Sequence, residues 1–295
     1  MMSDSETTSL HLITELEFDA GAEIFRHYPA FKLGVVNSVR YYARLMFPLL
    51  KKLIGRDSQY DSWIVTAPPI IDETPAAANL LCWELFELYT QEHPRPVKEL
   101  SLIDIQYDDQ AMASIDWDDP INSRDYATLN FAERVSSRER LGRQLLGNAD
   151  LEGNAVLFVN DICVTGAQQD SMQAYFDNAG AACVRWLYII VVAPEIGRTK
   201  PGIESQINFA PFEELLRLVS RDQIQFTGKC VQRLMGLSIA ELEQILLALD
   251  RERRSRLLEL AFRNGFESLD GFHEQMKLIR SYEQQNRSVD DFQLE

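Results

Sequence analysis

The chain has 295 residues, 46% hydrophobic and 25% charged, an ordinary balance for a soluble globular protein and enough length for one substantial core plus a smaller element. A formal net charge of -16 and a pI near 4.7 argue against a surface built to grip nucleic-acid backbone, so nucleic acid is not an expected partner; a local basic pocket is still compatible with them. Cys82, Cys163, Cys183 and Cys230 form no C-x-x-C pair, which predicts reduced thiols and no zinc site. The opening residues MMSDSETTSLHLITELEFDAG lack the basic and apolar regions of a secretory signal, and the longest apolar run, Trp186 to Ala193, is too short to span a bilayer as a helix. The expectation is a cytoplasmic protein with no membrane partner.

Residues 1 to about 20 are polar, with LHLITEL able to form a first strand or a helical turn. In GVVNSVRYYARLMFPLLKKLIG, residues Val36, Val39, Ala43, Met46, Leu50 and Leu53 recur at spacings of three and four, the stripe of an amphipathic helix, which Pro48 should kink. SWIVTAPP reads as a buried strand from Trp63 to Ala67. Thr74 as N-cap and Pro75 at the first helical position then open a helix carrying Leu81, Leu85 and Leu88 on one face. VKELSLIDI supplies a second strand, and YATLNFAERVSSRERLGRQLLG reads as helical. AVLFV is a third strand, QQDSMQAYFDNAG a helix with Met172, Tyr175, Phe176 and Ala179 inward and Gly180 at its C-terminal cap, and CVRWLYIIVV a fourth strand. Near-continuous apolar strands separated by helices predict an α/β fold with a mainly parallel, doubly wound sheet. Beyond about residue 205 the pattern is helical: PFEELLRLVS, then SIAELEQILLALDRERRSRLLELAFRNG opened by a Ser238–Glu241 capping box, then LDGFHEQMKLIRSYEQQ. The expected division is therefore an α/β domain over 1–205 and an all-helical C-terminal subdomain over 206–295.

The stretch AVLFVNDICVTGAQQ, residues 155 to 169, concentrates the chemistry. In an open parallel sheet, ligands bind beyond the carboxyl ends of the strands, and Asn160 through Ala167 sit at such an end. A turn leading into a helix N-terminus aims backbone N–H groups at one point, a place for a phosphate or other anion. Gly166 allows close backbone approach and Thr165 adds a hydroxyl donor. Asp161 would repel a phosphate lying on it, so its partner is a hydroxyl pair or a metal one sugar-length away. Together the two features describe a ribose-5-phosphate site. A plain βαβ crossover with a convenient Thr-Gly turn gives the same string of residues.

VLFVNDICVTGA resembles the phosphoribosyl-diphosphate signature of type I phosphoribosyltransferases: four apolar residues, two acidic positions, a few mostly apolar residues, then Thr-Gly. The resemblance implies that Asp161 contacts the ribose hydroxyls and that Thr165, Gly166 and Ala167 wrap the 5′-phosphate. Asn160 stands where the family has its first acid, and Gln168 where a Thr or Ser closes the loop. FKLGVVNSVRYYARLM, WIVTAPPIIDETPAAANLL and the ending TGAQQ are similar to the branch found in bacterial tellurium-resistance and stress-response operons. The resemblance further implies a pyrophosphate loop over Thr66 to Glu73, including Thr66 and Ala67, and Mg²⁺ bridging pyrophosphate and ribose hydroxyls, so that Asp161 meets the metal only indirectly. It implies a closing loop in WDDPINSRDYATLNFAER, with Arg124 and Arg134 as pyrophosphate cations and Tyr126 for stacking or a hydrogen bond. Pro68 and Pro69 remove two N–H donors from the pyrophosphate loop. Asn160 cannot supply charge but can hydrogen-bond to ribose.

The remaining candidates have structural alternatives. His11, His27, His93 and His273 have no partner at ligand spacing, Cys163 reads as a small apolar filler or a redox-sensitive thiol, and Asp118 with Asp119 as loop solvation. Trp63, Trp83 and Trp186 read as packing. No Walker loop, G-x-G-x-x-G or G-x-S-x-G occurs. Three functions follow: a Mg²⁺-dependent phosphoribosyltransferase making or breaking an N-glycosidic bond at C1 of a phosphoribosyl substrate; a sensor of a phosphorylated sugar or nucleotide; or an adaptor whose helical C-terminus binds a second copy or an operon-encoded partner.

Overall fold

The computed structural model describes residues 5–15, 21–70, 74–94, 98–107, 129–142, 145, 149–221 and 223–290. Its centre is a five-stranded sheet of β1 (Ser5–Ile13), β2 (Ser62–Thr66), β3 (Glu99–Leu102), β4 (Ala155–Cys163) and β5 (Cys183–Val192), in the order β1-β5-β4-β2-β3. Every pairing is parallel. The apolar runs are buried along their length because a parallel sheet is covered on both faces: Val156, Leu157, Phe158 and Val159 on β4 and Leu187, Ile189 and Ile190 on β5 expose nothing to solvent. Of LHLITEL, Leu10 to Ile13 belong to β1, whose residues Ser5 to Ile13 run in register with Val184 to Val192.

The helices up to residue 207 are α1 (Glu23–Arg26), α2 (Tyr28–Leu33), α3 (Val36–Arg56), α4 (Ala77–Glu92), α5 (Phe131–Gly142), α6 (Ala167–Asn178), α7 (Pro194–Thr199) and α8 (Ile203–Ile207). The amphipathic stripe of α3 is buried at Val39, Ala43, Met46, Leu50 and Leu53, and the helix continues through Pro48 without a break. On α6, Met172 and Phe176 are buried and Tyr175 and Ala179 pack half-buried beside them, with Phe176 edge-on to Phe158 at 5.9 Å. Gly180 follows that helix at φ +77°. Trp63 and Trp186 are fully buried, and Trp186 lies 5.0 Å from Phe158. Trp83 instead donates its indole N–H to Asp104 at 2.9 Å.

Two helix boundaries differ from expectation. α4 begins at Ala77, so Thr74 is not its N-cap and Pro75 is not its first residue; the Thr74 hydroxyl accepts from Asn264 Nδ2 at 2.9 Å instead. The long C-terminal helix expected from Ser238 onward is two helices, because Asp250 accepts from the Arg253 N–H at 2.8 Å and starts a new one.

The chain divides into two compact units: Met1–Tyr28, Val39–Ile70 and Ala78–Phe209 form the first, and Pro29–Ser38, Ile71–Ala77 and Ala210–Glu295 the second. The second is helical, built on α9 (Phe212–Arg221), α10 (Gly228–Met235), α11 (Ile239–Ala248), α12 (Arg251–Arg263) and α13 (His273–Asp290). Its core joins Leu215, Val219, Leu234, Ile245, Leu257 and Ile279 to Leu33 and Val35 from the early segment. An isolated antiparallel bridge between Val35 and Ile224 fixes that segment to it. Among the described residues no helix is long and apolar enough to cross a membrane.

Candidate functional site

Strand order fixes where a ligand can sit. From β2 the chain turns outward to β3 and then returns to β4 on the other side of β2, so the sheet's switch point lies between β2 and β4. The β2–β4 register ends at Thr66 with Phe158, while β4 continues to Cys163. Asn160 and Asp161 therefore lie within the end of β4 rather than beyond it, on a stretch that β2 no longer covers. Both are buried.

Side chains take up the N–H groups there. Asn160 Oδ1 accepts from the Asp161 N–H at 2.8 Å, and Asp161 Oδ1 accepts from the Ile162 N–H at 2.8 Å. Val164 and Thr165 then lead to Gly166 at φ +80°, a left-handed conformation that costs an L side chain roughly 1–2 kcal/mol and glycine nothing. That turn opens α6. The Ala167 N–H reaches Thr165 Oγ1 at 3.4 Å, and no side chain caps the start of the helix at Gly166. Asp161, Thr165, Gly166 and Ala167 are thus assembled within one strand–turn–helix unit, as the spacing predicted.

The two positions that depart from the signature touch each other. Asn160 Nδ2 donates to Gln168 Oε1 at 3.2 Å, across the mouth of the turn. Because a backbone N–H can only donate, the Asp161 N–H fixes Asn160 with its Oδ1 inward and its Nδ2 toward Gln168.

A neighbouring helix sets the height of the turn. A Cβ on Gly197 of α7 would lie 1.7 Å from the Val164 carbonyl oxygen, so α7 and the turn approach to a distance that only glycine permits. Gln169 is tied to the sheet: its Nε2 donates to Thr7 Oγ1 and its Oε1 accepts from the Tyr188 hydroxyl, both at 3.2 Å. Behind Asp161 stands Tyr28, fully buried, its phenol pKa pushed well up by burial and then by the nearby Asp161 and Glu204 carboxylates. Burial also pushes the Cys163 thiol up to about 11, which keeps it protonated at neutral pH and supports the filler role.

The sequence from residue 5 to residue 279 matches a protein family described as PRTase ComF-like. The chain belongs to that family. No curated protein matches it.

Within this PRTase ComF-like chain the other expected site residues are distributed as follows. Thr66 is fully buried at the end of β2 and Ala67 is buried just after it, both beside the switch point. Arg124 and Tyr126 lie outside the described residues. Arg134, on α5, is 2% exposed; its Nη1 donates to Glu204 Oε2 at 3.0 Å, its Nε to the Leu129 carbonyl at 3.1 Å and its Nη2 to the Pro201 carbonyl at 2.9 Å. A pyrophosphate role for Arg134 would require breaking a buried ion pair, whereas its present contacts hold α5 to α8. Gly197 and Tyr28 were not singled out in the sequence, because each reaches the site from a distant segment. The glycine's only trace was its place just after the fourth strand.

Proposed function

We propose that this protein binds a ribose 5-phosphate group, as phosphoribosyl diphosphate or within a nucleotide, and makes or breaks an N-glycosidic bond at C1. One observation carries the proposal: in a PRTase ComF-like chain, the buried Asp161 and the uncapped Thr165–Gly166 start of α6 stand together at the sheet's switch point. The N–H groups of the turn and the Thr165 hydroxyl hold the phosphate, since donors at a helix N-terminus favour an anion. Asp161 accepts from the ribose hydroxyls and fixes the ring. As the bond from C1 to its leaving group stretches (C1–O with pyrophosphate departing, or C1–N with the base departing), positive charge develops on C1 and the ring oxygen, the fixed Asp161 charge favours that state, and the incoming base or water adds to C1.

Mg²⁺ has a narrow place in this scheme. Among the described residues no three His, Cys, Asp or Glu side chains converge on one point, and Asn160 offers an amide in place of a second carboxylate. Among the described residues the donor set fits an ion carried by the substrate's own oxygens, with Asp161 next to it.

Purified protein incubated with phosphoribosyl diphosphate and a panel of bases, or with nucleoside 5′-monophosphates, should yield glycosidic exchange or cleavage by chromatography. Asp161→Asn should lower the rate about 100-fold while leaving the circular dichroism spectrum unchanged. Full activity in that variant would remove Asp161 from the chemistry.

The Asn160–Gln168 hydrogen bond favours a second reading, a sensor in which the phosphate turn survives and catalysis does not. Phosphate-ester binding lost in Asp161→Ala, with no turnover in the parent protein, would support it. The Pro68–Pro69 loop and the TGAQ ending support a place in the tellurium-resistance branch. In the sensor reading, residues 210–290 would carry the signal to a second copy or an operon-encoded partner.

A further inference from the structure

We infer that two copies of this protein pair through β1, edge to edge and antiparallel across a two-fold axis, so that their sheets join into one. Pairing of this kind does not depend on what the Thr165–Gly166 turn binds.

The two edges of the sheet are unlike. β3, at one end, has four residues and offers little to pair with. β1, at the other, has nine and contains no proline, lysine or arginine. It keeps one offset against β5, from Ser5 opposite Val184 to Ile13 opposite Val192, so no bulge bends the edge away. Backbone groups alternate in direction along a strand. The Ile13 carbonyl accepts from the Ala193 N–H at 2.8 Å, so Ile13, His11, Ser9 and Thr7 turn their backbone groups toward β5. Those of Glu6, Thr8, Leu10 and Leu12 point the other way, and among the described residues no backbone group meets them. Leu12 is 53% exposed.

Such an edge is its own complement, because a two-fold antiparallel pairing sets each N–H of the segment against a carbonyl of the same segment. With Leu10 on the axis, Leu10 faces its equivalent and Leu12 faces Thr8 of the second copy. Glu6, the strand's one carboxylate, lies outside that overlap and accepts from Arg56 Nη1 at 2.8 Å, so the pairing buries no unpaired charge. The same ion pair sets the level of α3 against β1. From Glu6 to Leu12 the strand rises about 20 Å, and from Arg56 back to Leu45 the helix covers about 17 Å. Leu45, 40% exposed, therefore stands near the height of Leu12 and widens the apolar strip. The Tyr42 hydroxyl donates to the Ile24 carbonyl, and His27 lies 4.4 Å from Tyr41, which places α1 against this part of α3. The exposed charges on these segments balance, Glu15 and Glu23 against Arg26 and Arg44. A net charge of -16 drives copies apart as whole molecules, whereas a locally balanced face lets a two-fold contact set opposite charges together.

Sedimentation equilibrium of the full-length protein tests this. The expected species is a dimer of the 33.8 kDa chain with a dissociation constant of about 10 µM or lower, tightening as NaCl rises from about 50 to 500 mM because salt screens the overall repulsion. Leu12→Lys places a charge at an exposed position, and Thr8→Pro removes an N–H that points away from β5. Each should weaken the dimer at least tenfold with an unchanged circular dichroism spectrum. Leu247→Lys, at an exposed position of α11, should leave the dimer intact. In the parent protein, hydrogen exchange at the Thr8, Leu10 and Leu12 amides should slow as protein concentration rises, a readout that needs no variant. A monomer at about 100 µM protein would overturn the inference. So would a dimer dissolved by Leu247→Lys but not by Leu12→Lys, or exchange in β1 that ignores concentration.

Discussion

Asn160 and Gln168, each unremarkable as a single substitution in a motif, become interpretable as a pair because one hydrogen bond of 3.2 Å joins them. Removing either partner leaves the other amide half-satisfied at the mouth of the turn, a loss of about 1 kcal/mol that would be expressed as weaker ligand binding. Asn160→Ala and Gln168→Ala should each weaken ribose 5-phosphate binding about five-fold, and the double variant should be no weaker than the worse single one. Fully additive losses in calorimetry would mean that the two residues act independently. Two glycines make a contrasting pair. A Cβ on Gly166 meets nothing within 4 Å, so Gly166→Ala should cost about 1 kcal/mol through backbone conformation alone. A Cβ on Gly197 would meet the Val164 carbonyl oxygen at 1.7 Å, so Gly197→Ala must displace the turn itself. The second variant should lose at least ten-fold in ligand affinity, more than the first, by the same titration. Asp161, Thr165 and Gly166 were legible in the sequence because a strand, a turn and a helix start put them side by side along the chain. Gly197 and Tyr28 were not, since nothing local marks a residue whose role is to touch a segment more than thirty or a hundred positions away.

At the level of elements, legibility followed the range of the deciding interaction. The Ser238–Glu241 box is a contact across one helical turn, and both of its hydrogen bonds form. Its hydrogen bonds from Ser238 hold the Glu241 carboxyl below the usual range, so the box stabilises the native state above the unfolded carboxyl pKa and that contribution is lost as pH falls through the lower, folded value. Ser238→Ala should therefore lower the melting temperature at pH 7 and make progressively less difference as the pH drops below about 4. The break at Asp250 is equally local and was hidden by the strong helical composition on both sides of it. Asp250→Ala removes the cap of α12 and should cost about 1 kcal/mol in urea unfolding at pH 7. The sequence leaves the length of β4 unmarked for a different reason. Polar Asn160 and Asp161 look like the end of a strand, yet they continue the ladder with β5, Asn160 opposite Tyr188 and Cys163 opposite Val191.

For the whole molecule, the apolar runs made a parallel sheet legible, but runs of similar composition carry no label saying which strand lies beside which. Nor did they reveal the charge that the sheet encloses. Arg185 lies on β5, 1% exposed, and its Nε donates to Asp57 Oδ2 at 2.7 Å, just after the end of α3. Residue 185 is flanked in register by Glu6 of β1 and Leu157 of β4, and its guanidinium reaches off the sheet to the residue that follows α3. A buried ion pair adds little over a well-packed apolar pair, because desolvating both charges opposes their attraction; losing one partner is another matter, since the remaining charge stays buried. Asp57→Ala should thus destabilise the protein by about 3–5 kcal/mol, whereas Asp57→Leu combined with Arg185→Met should recover most of that loss. Urea unfolding curves for the parent and both variants, with unchanged slopes, measure the difference. A cost below about 1 kcal/mol for Asp57→Ala would mean that Arg185 finds solvent or another acceptor when Asp57 is gone. A double variant as unstable as the single one would instead place the effect in packing at the end of α3.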